Sequence, residues 1–337
     1  MHCLHRNMKL LASLTTITIL STFTFAQDQW VTYPGGDGPG KGKHVVLLAG
    51  DEEYRSEEAL PQLGKILSQR HGFKCTVLFS INKSSGDIDP NTANNQPGME
   101  ALGSADCVIT SLRFRKWPDD QAKHFADYYA AGKPLIGLRT STHAFNGIPK
   151  DSPYEKWNWN NKEWAGGFGR QVFGETWVAH HGGHKTEATR GVIEDASKDD
   201  ALLRGVKDIF GTTDVYTANP MADSKILVRG QVLVGMKPTD GPVVGKKNEP
   251  MQPIVWTREH KNEAGKTNKI LCTTMGAATD LENEDLRRLV VNAVYSFTGL
   301  EVPQKADVTV VGEYKPKMYG FGGFTKGLKP AEHALTK

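Results

Sequence analysis

The sequence predicts an α/β fold in which a parallel sheet carries helices on both faces. Three observations point there. Four runs, His44–Gly50 and residues 73–79, 105–110 and 134–138, read as strands, and the last shows no polar alternation, as a parallel strand covered on both faces allows. The first and second runs, and again the third and fourth, are joined by a stretch of helical periodicity, giving strand, helix, strand twice over. In the last run, Pro134-Leu135-Ile136-Gly137-Leu138, the polarity then switches abruptly to Arg139, Thr140, Ser141, Thr142 and His143. Polar residues at the carboxyl end of a core strand stand where open α/β sheets place ligands.

Residues 1–26 read as a signal peptide. Arg6 and Lys9 precede an apolar, Thr-rich run, and Thr24-Phe25-Ala26 supplies a small-x-small cleavage signal. The run is too short for a membrane span, so the product is expected to be exported, to a periplasm or beyond. Removing Arg6 and Lys9, with no acidic residue, lowers the formal charge of +3 by two. That near-neutral balance argues against a nucleic-acid or membrane-surface partner. Cys75, Cys107 and Cys272 remain, each in an apolar run, and are expected as buried thiols.

Residues 27–43 form a Gly- and Pro-rich lead-in. Gly35-Gly36-Asp37-Gly38-Pro39-Gly40-Lys41 has the spacing of a phosphate loop, but Gly42 stands where Ser or Thr is needed and no strand precedes it. The first strand is followed by Asp51, Glu52, Glu53, Tyr54 and Arg55. Ser56 is then expected to cap a helix carrying Leu60, Leu63, Ile66 and Leu67 on one face, ended by Gly72. Residues 80–99 read as a long polar loop. The third strand ends in charge at Arg113 and Arg115, and Pro118 opens a helix with Phe125 and Tyr129 inward. Right-handed crossovers place these strand ends on one edge.

Residues 146–190 break the rhythm. Trp157, Trp159, Trp164 and Trp177 are four of the seven tryptophans, interleaved with Asn158, Asn160 and Asn161. An insertion of this composition is expected as a lid or binding loop. Short strands follow over residues 225–229, 232–236, 253–256 and 269–274. A closing helix carries Leu286, Leu289, Val290, Ala293, Val294 and Phe297, with Gly299 after it. Residues 303–337 are expected as a tail, wrapped over the body or partly disordered.

Read together, LLAGDEEYRSEE, DCVIT, GKPLIGLRTSTHAF, WVAHHGGHKT, DVYTANP, PIVWTREH and the segment from KILCTTMGAATDL to FTGLEVP resemble the trehalose-utilisation (ThuA-like) family, in its exported planctomycete-type branch. The resemblance spans about residues 43–303. It implies a single ThuA-like domain over residues 44–302, with a flavodoxin-like doubly wound sheet of the class I glutamine amidotransferase-like superfamily. It also implies a role in processing a disaccharide or keto-sugar. The superfamily's amidotransferases carry a nucleophilic Cys after a Pro-x-x-Gly-x strand and a late His–Glu pair. Here Arg139 occupies the nucleophile position, and Thr274-Met275-Gly276-Ala277 offers no such pair. A thiolate needs an adjacent base, so glutaminase activity is excluded.

The polar groups expected at the sheet's carboxyl edge are Asp51, Glu52, Glu53 and Arg55; Arg113 and Arg115; Arg139, Ser141 and His143; and His180, His181 and His184. An enzyme acting on a sugar would use His143 or one of the later histidines, His181 foremost, as acid or base, because imidazole titrates near neutrality. Glu52 would be its carboxylate partner, and Arg139 and Arg113 would hold oxyanion charge. Asp51, Glu53, Arg55, Arg113, Ser141, Trp159, His180 and His184 would contact substrate, with indole stacking on a sugar face. Lyase, isomerase and hydrolase chemistry all fit this set. No cofactor is expected, although His180 and His184 with a carboxylate such as Glu52 or Glu175 could bind zinc or manganese. A non-catalytic carbohydrate-binding protein and a metal-dependent hydrolase are the alternatives.

Overall fold

A computed structural model describes residues 29–335; the leader expected over residues 1–26 lies outside them. The strands are β1 (Trp30–Tyr33), β2 (His44–Gly50), β3 (Lys74–Phe79), β4 (Cys107–Leu112), β5 (Leu135–Leu138), β6 (Ala179–His180), β7 (Thr189–Ile193), β8 (Ile209–Gly211), β9 (Tyr216–Thr217), β10 (Lys225–Val232), β11 (Gln252–Lys261) and β12 (Thr267–Thr273). The longer helices are α1 (Ser56–His71), α2 (Asp119–Ala130) and α3 (Glu284–Phe297). Ten strands make one sheet in the order β1-β3-β2-β4-β5-β12-β11-β10-β7-β8, and β6 pairs with β9.

The expected parallel sheet is only half of what forms. Strands β3, β2, β4, β5 and β12 run parallel, whereas β1, β11, β10, β7 and β8 pair antiparallel with their neighbours. The physical reason lies in the connections: residues 262–266 join β11 to β12, too few for the crossover that parallel strands require. The strand expected over residues 225–229 extends to Val232 as β10, whereas the one expected over 232–236 does not form beyond a single bridge between Leu233 and Pro242.

Strand β2 is buried along its whole length, and its side chains alternate between two cores. Val45, Leu47 and Ala49 face α1 and α3, with Leu60, Leu63, Leu289 and Val290. Val46 and Leu48 face α2 and the insertion, with Phe125, Phe168 and Trp157. Helix α1 ends at Gly72, whose left-handed φ of 80° lets its N–H reach back to the last turn. Ser56 does not cap it. Its hydroxyl accepts the Asp51 N–H instead, and Arg55 precedes the helix in a left-handed conformation. Asn283 does cap α3, accepting the Leu286 N–H at 2.9 Å.

The chain after α3 crosses the carboxyl edge of the sheet. Gly320 donates its N–H to the Glu53 carbonyl, Ile88 donates to Leu328, and the Tyr33 hydroxyl donates to the His333 carbonyl. Among the described residues no helix is long and apolar enough to cross a membrane.

Candidate functional site

Strand β6 and strand β9 form a two-stranded ribbon with Ala179 opposite Thr217 and His180 opposite Tyr216. The Val215 carbonyl accepts from both His181 N–H and Gly182 N–H. Neighbouring side chains of extended backbone point to opposite faces. His180 therefore faces Asp214, and its Nδ1 lies 2.6 Å from Oδ2. His181 faces away, its Nε2 2.8 Å from the Lys247 carbonyl. A Cβ on Gly182 would stand 3.2 Å from Val215 N and 3.3 Å from Asp214 Cβ, so this close approach suits glycine. The turn after it returns His184, with Nδ1 3.1 Å from Asp214 Oδ1 and Nε2 3.3 Å from Glu53 Oε1.

Asp214 is fully buried, and Arg139 is its counterion. Arg139 Nη2 donates to Asp214 Oδ1 at 2.9 Å and to the Tyr54 hydroxyl at 3.2 Å, while Nη1 donates to the carbonyls of Asp214 and Thr274. The guanidinium lies between the rings of Tyr216, 3.6 Å from its centre, and Tyr54, 4.6 Å from its centre. Arg139 itself sits at φ 44°, a left-handed conformation rare outside glycine, where β5 turns into the short helix Arg139–His143. Asp280 ties the neighbouring loops together, accepting from Thr213 N and Oγ1, Gly276 N and Ala277 N.

Burial pushes the Asp214 carboxyl up, but Arg139, His180 and His184 together outweigh it and hold it down to about 2. An ionised carboxylate only accepts, so both imidazoles present Nδ1–H to it. A neutral His180 then carries its lone pair on Nε2, and 39% of this side chain is exposed. Burial raises Glu53, helped by Asp51, and burial lowers His184 against the pull of Asp214.

The other expected site residues lie elsewhere or are committed. His143 does not meet a carboxylate: it is buried between Phe114 and Trp177, and burial drives it well below the usual imidazole range. His181 is withdrawn from the cluster by strand alternation. Glu52 is ion-paired with Arg113 and Arg115, not with a histidine. Arg115 is buried and donates further to Ser80 and the Pro90 carbonyl. Arg139 is sealed under two tyrosines, so it positions Asp214 and does not face a substrate. Asp51 closes its own turn, accepting from Glu53 N and Tyr54 N and from the Thr140 hydroxyl. Ser141 donates to the Thr110 carbonyl, and Arg55 lies buried under the C-terminal segment on the Gly320 carbonyl. Glu53, His180 and His184 are brought together. Arg113 and Trp159 are half-buried at the edge.

The insertion divides its tryptophans. Trp157 packs on Phe125, Phe145 and Phe168 as core. A Cβ on Gly169 would stand 1.7 Å from the Thr142 carbonyl, so the insertion seats directly on the turn after β5. Trp159 and Trp177, 6.4 Å apart, lie half-buried at the edge. They belong to an arc in successive contact, from His180 through Trp177 and Trp159 to Phe114.

His180, His184 and Asp214 can offer donor atoms within 4.8 Å of one another, the grouping a divalent metal would use. The distances favour hydrogen bonding instead. Two donors at about 2.1 Å from one ion stand about 3 Å or more apart, whereas His180 Nδ1 and Asp214 Oδ2 are 2.6 Å apart. Asp214 also keeps Arg139 on the oxygen that faces His184. Asp214 is the residue that sequence reasoning misses, although it opens the DVYTANP segment. A guanidinium directly after a buried strand demands a buried carboxylate, and that demand is the signal for it.

No family model matches the chain, and no curated protein matches it. Among solved structures, a protein provisionally named ThuA-like from Parabacteroides merdae ATCC 43184 shares 13% identity at a TM-score of 0.47, covering 78% of this chain and 92% of that one. Another provisionally ThuA-like protein, from Bacteroides uniformis ATCC 8492, shares 12% at 0.45, covering 79% and 95%. The N-terminal domain of mmIFT52 shares 12% at 0.41, covering 76% and 97%. At those values a likeness says nothing about activity.

The cysteines in the described residues cannot serve as nucleophiles. Cys75, Cys107 and Cys272 are buried in strands, and burial pushes each thiol up.

Proposed function

We propose that the chain is an exported ThuA-like protein that processes a disaccharide or a keto-sugar, with His180 as its general acid–base group. The export signal of residues 1–26 and the quoted ThuA-like segments support the setting. The parallel strands follow the order β3-β2-β4-β5-β12, the second-first-third-fourth-fifth order of a flavodoxin-like sheet. One observation carries the chemistry: His180 is exposed at one edge and hydrogen-bonded at the other to a buried carboxylate, 2.6 Å away. Asp214 fixes the tautomer and stabilises the imidazolium, and Nε2 takes or gives the proton. Trp159 and Trp177 offer stacking faces beside it. Lyase, isomerase and hydrolase steps all use such a group.

A non-catalytic carbohydrate-binding protein is the second possibility, favoured by the commitment of Glu52, Arg113 and Arg115 to one another. A metal-dependent hydrolase draws on the His180–His184–Asp214 grouping, but the 2.6 Å contact weighs against it. Incubating the purified protein with a panel of disaccharides and their 3-keto derivatives separates these cases. Turnover that His180→Gln abolishes supports the acid–base role. Saturable protection against thermal unfolding without turnover supports binding alone. Neither response would reject a carbohydrate role.

A further inference from the structure

The arc of rings that starts at His180 does not end at Phe114. The Arg113 guanidinium lies 4.4 Å from the Phe114 ring centre on one side and 5.0 Å from the Phe321 ring centre on the other. Two residues before Phe321, the Tyr319 ring stands 5.5 Å from His184, which stands 4.8 Å from His180. These contacts link the insertion and the C-terminal segment in one circuit through His180, His184 and Arg113.

The C-terminal segment is not a loose tail. Gly320 donates its N–H to the Glu53 carbonyl at 2.8 Å, and Arg55 donates to the Gly320 carbonyl. The Tyr319 hydroxyl donates to the Thr212 carbonyl at 3.0 Å, and its ring lies 5.1 Å from Tyr54. Phe321 is thus presented by a pinned backbone while remaining 63% exposed. Across the guanidinium, Phe114 adopts φ 52°, a conformation bulky residues avoid.

We infer that the C-terminal segment is a wall of the binding site, and that Phe321 determines specificity for the terminal ring of a short saccharide. This rests on the carbohydrate role proposed above. A site bounded by that circuit leaves no exit for a chain running through it, so in this proposal the ligand enters end-on. Its C–H face stacks on exposed aromatic rings, and its hydroxyls meet Arg113 and His180.

The test is calorimetric titration of wild-type protein and Phe321→Ala with trehalose, maltose, cellobiose, maltohexaose and cellohexaose. At least one disaccharide is expected to bind, its six-ring homologue no more than about threefold tighter, and Phe321→Ala to weaken both about tenfold. An unchanged thermal midpoint shows that the variant is folded. Equal binding by wild type and Phe321→Ala overturns the inference, as does affinity that climbs steadily with chain length, the mark of an open groove. If neither these sugars nor the 3-keto derivatives of the disaccharides bind wild type, the carbohydrate role itself fails, and this inference with it.

Discussion

Arg139 Nη2 and Asp214 Oδ1 meet at 2.9 Å, and neither side chain exposes any surface. Removing one partner leaves an uncompensated buried charge. Arg139→Met or Asp214→Ala is expected to cost about 3–5 kcal/mol in urea unfolding, with the double variant recovering a substantial part. Additive single effects below about 1 kcal/mol would show that the pair holds nothing together.

His181→Ala should remove one hydrogen bond to the Lys247 carbonyl, at a cost of about 1 kcal/mol, and leave ligand response unchanged. His180→Ala should cost about 1–3 kcal/mol, because it strips a charge-assisted hydrogen bond from the buried Asp214, and should abolish that response. Thermal unfolding of both variants, with and without sugar, checks the contrast. A functional loss in His181→Ala would reverse the assignment.

One buried carboxyl should withdraw stability as pH rises between about 4.3, the ordinary Glu value, and about 8, opposing the gain over about 4 to 6.5 from His44 and His333, which burial holds down to about 4. Glu57 is the cause: burial pushes its carboxyl up to about 8 against the pull of Arg55. Both its oxygens lack a hydrogen-bond partner. A group raised in the folded state stabilises below its unfolded value and loses that contribution as pH climbs. Glu57→Gln should flatten this limb in urea titrations at stepped pH. Asp214 acts in the opposite direction. Held down to about 2, it contributes about 2–3 kcal/mol above pH 4 that disappears as pH falls toward 2, and Asp214→Asn should remove this acid limb.

If Asp214 serves as a hydrogen-bond acceptor and not as a ligand, zinc and manganese should not stabilise the protein. Purified material should carry well under one equivalent of either, and a chelator should leave the thermal midpoint unchanged. Stoichiometric metal lost in His184→Ala would restore the metal-dependent alternative.

The parallel half of the sheet is legible because fully buried strands must be apolar throughout, as Val45 to Leu48 are. The antiparallel half is not, because β10 and β11 carry mixed sequences and only the turn over residues 262–266 is short enough to dictate a direction. At the site, His180 and His184 stand out by residue type. His181 looks equivalent until strand alternation turns it away, and Asp214 is hidden because its role depends on Arg139, 75 positions earlier. Asp51 and Glu52 mislead for the converse reason: in sequence they are free carboxylates, and in the fold each is already partnered.

The decisive measurement is turnover of disaccharides and their 3-keto derivatives by wild type, His180→Gln and Asp214→Asn at matched folded concentration. Wild type is expected to convert at least one sugar, His180→Gln to lose about 10²–10⁴-fold in rate, and Asp214→Asn to be impaired as well. Conversion at the wild-type rate by folded His180→Gln would contradict the acid–base role.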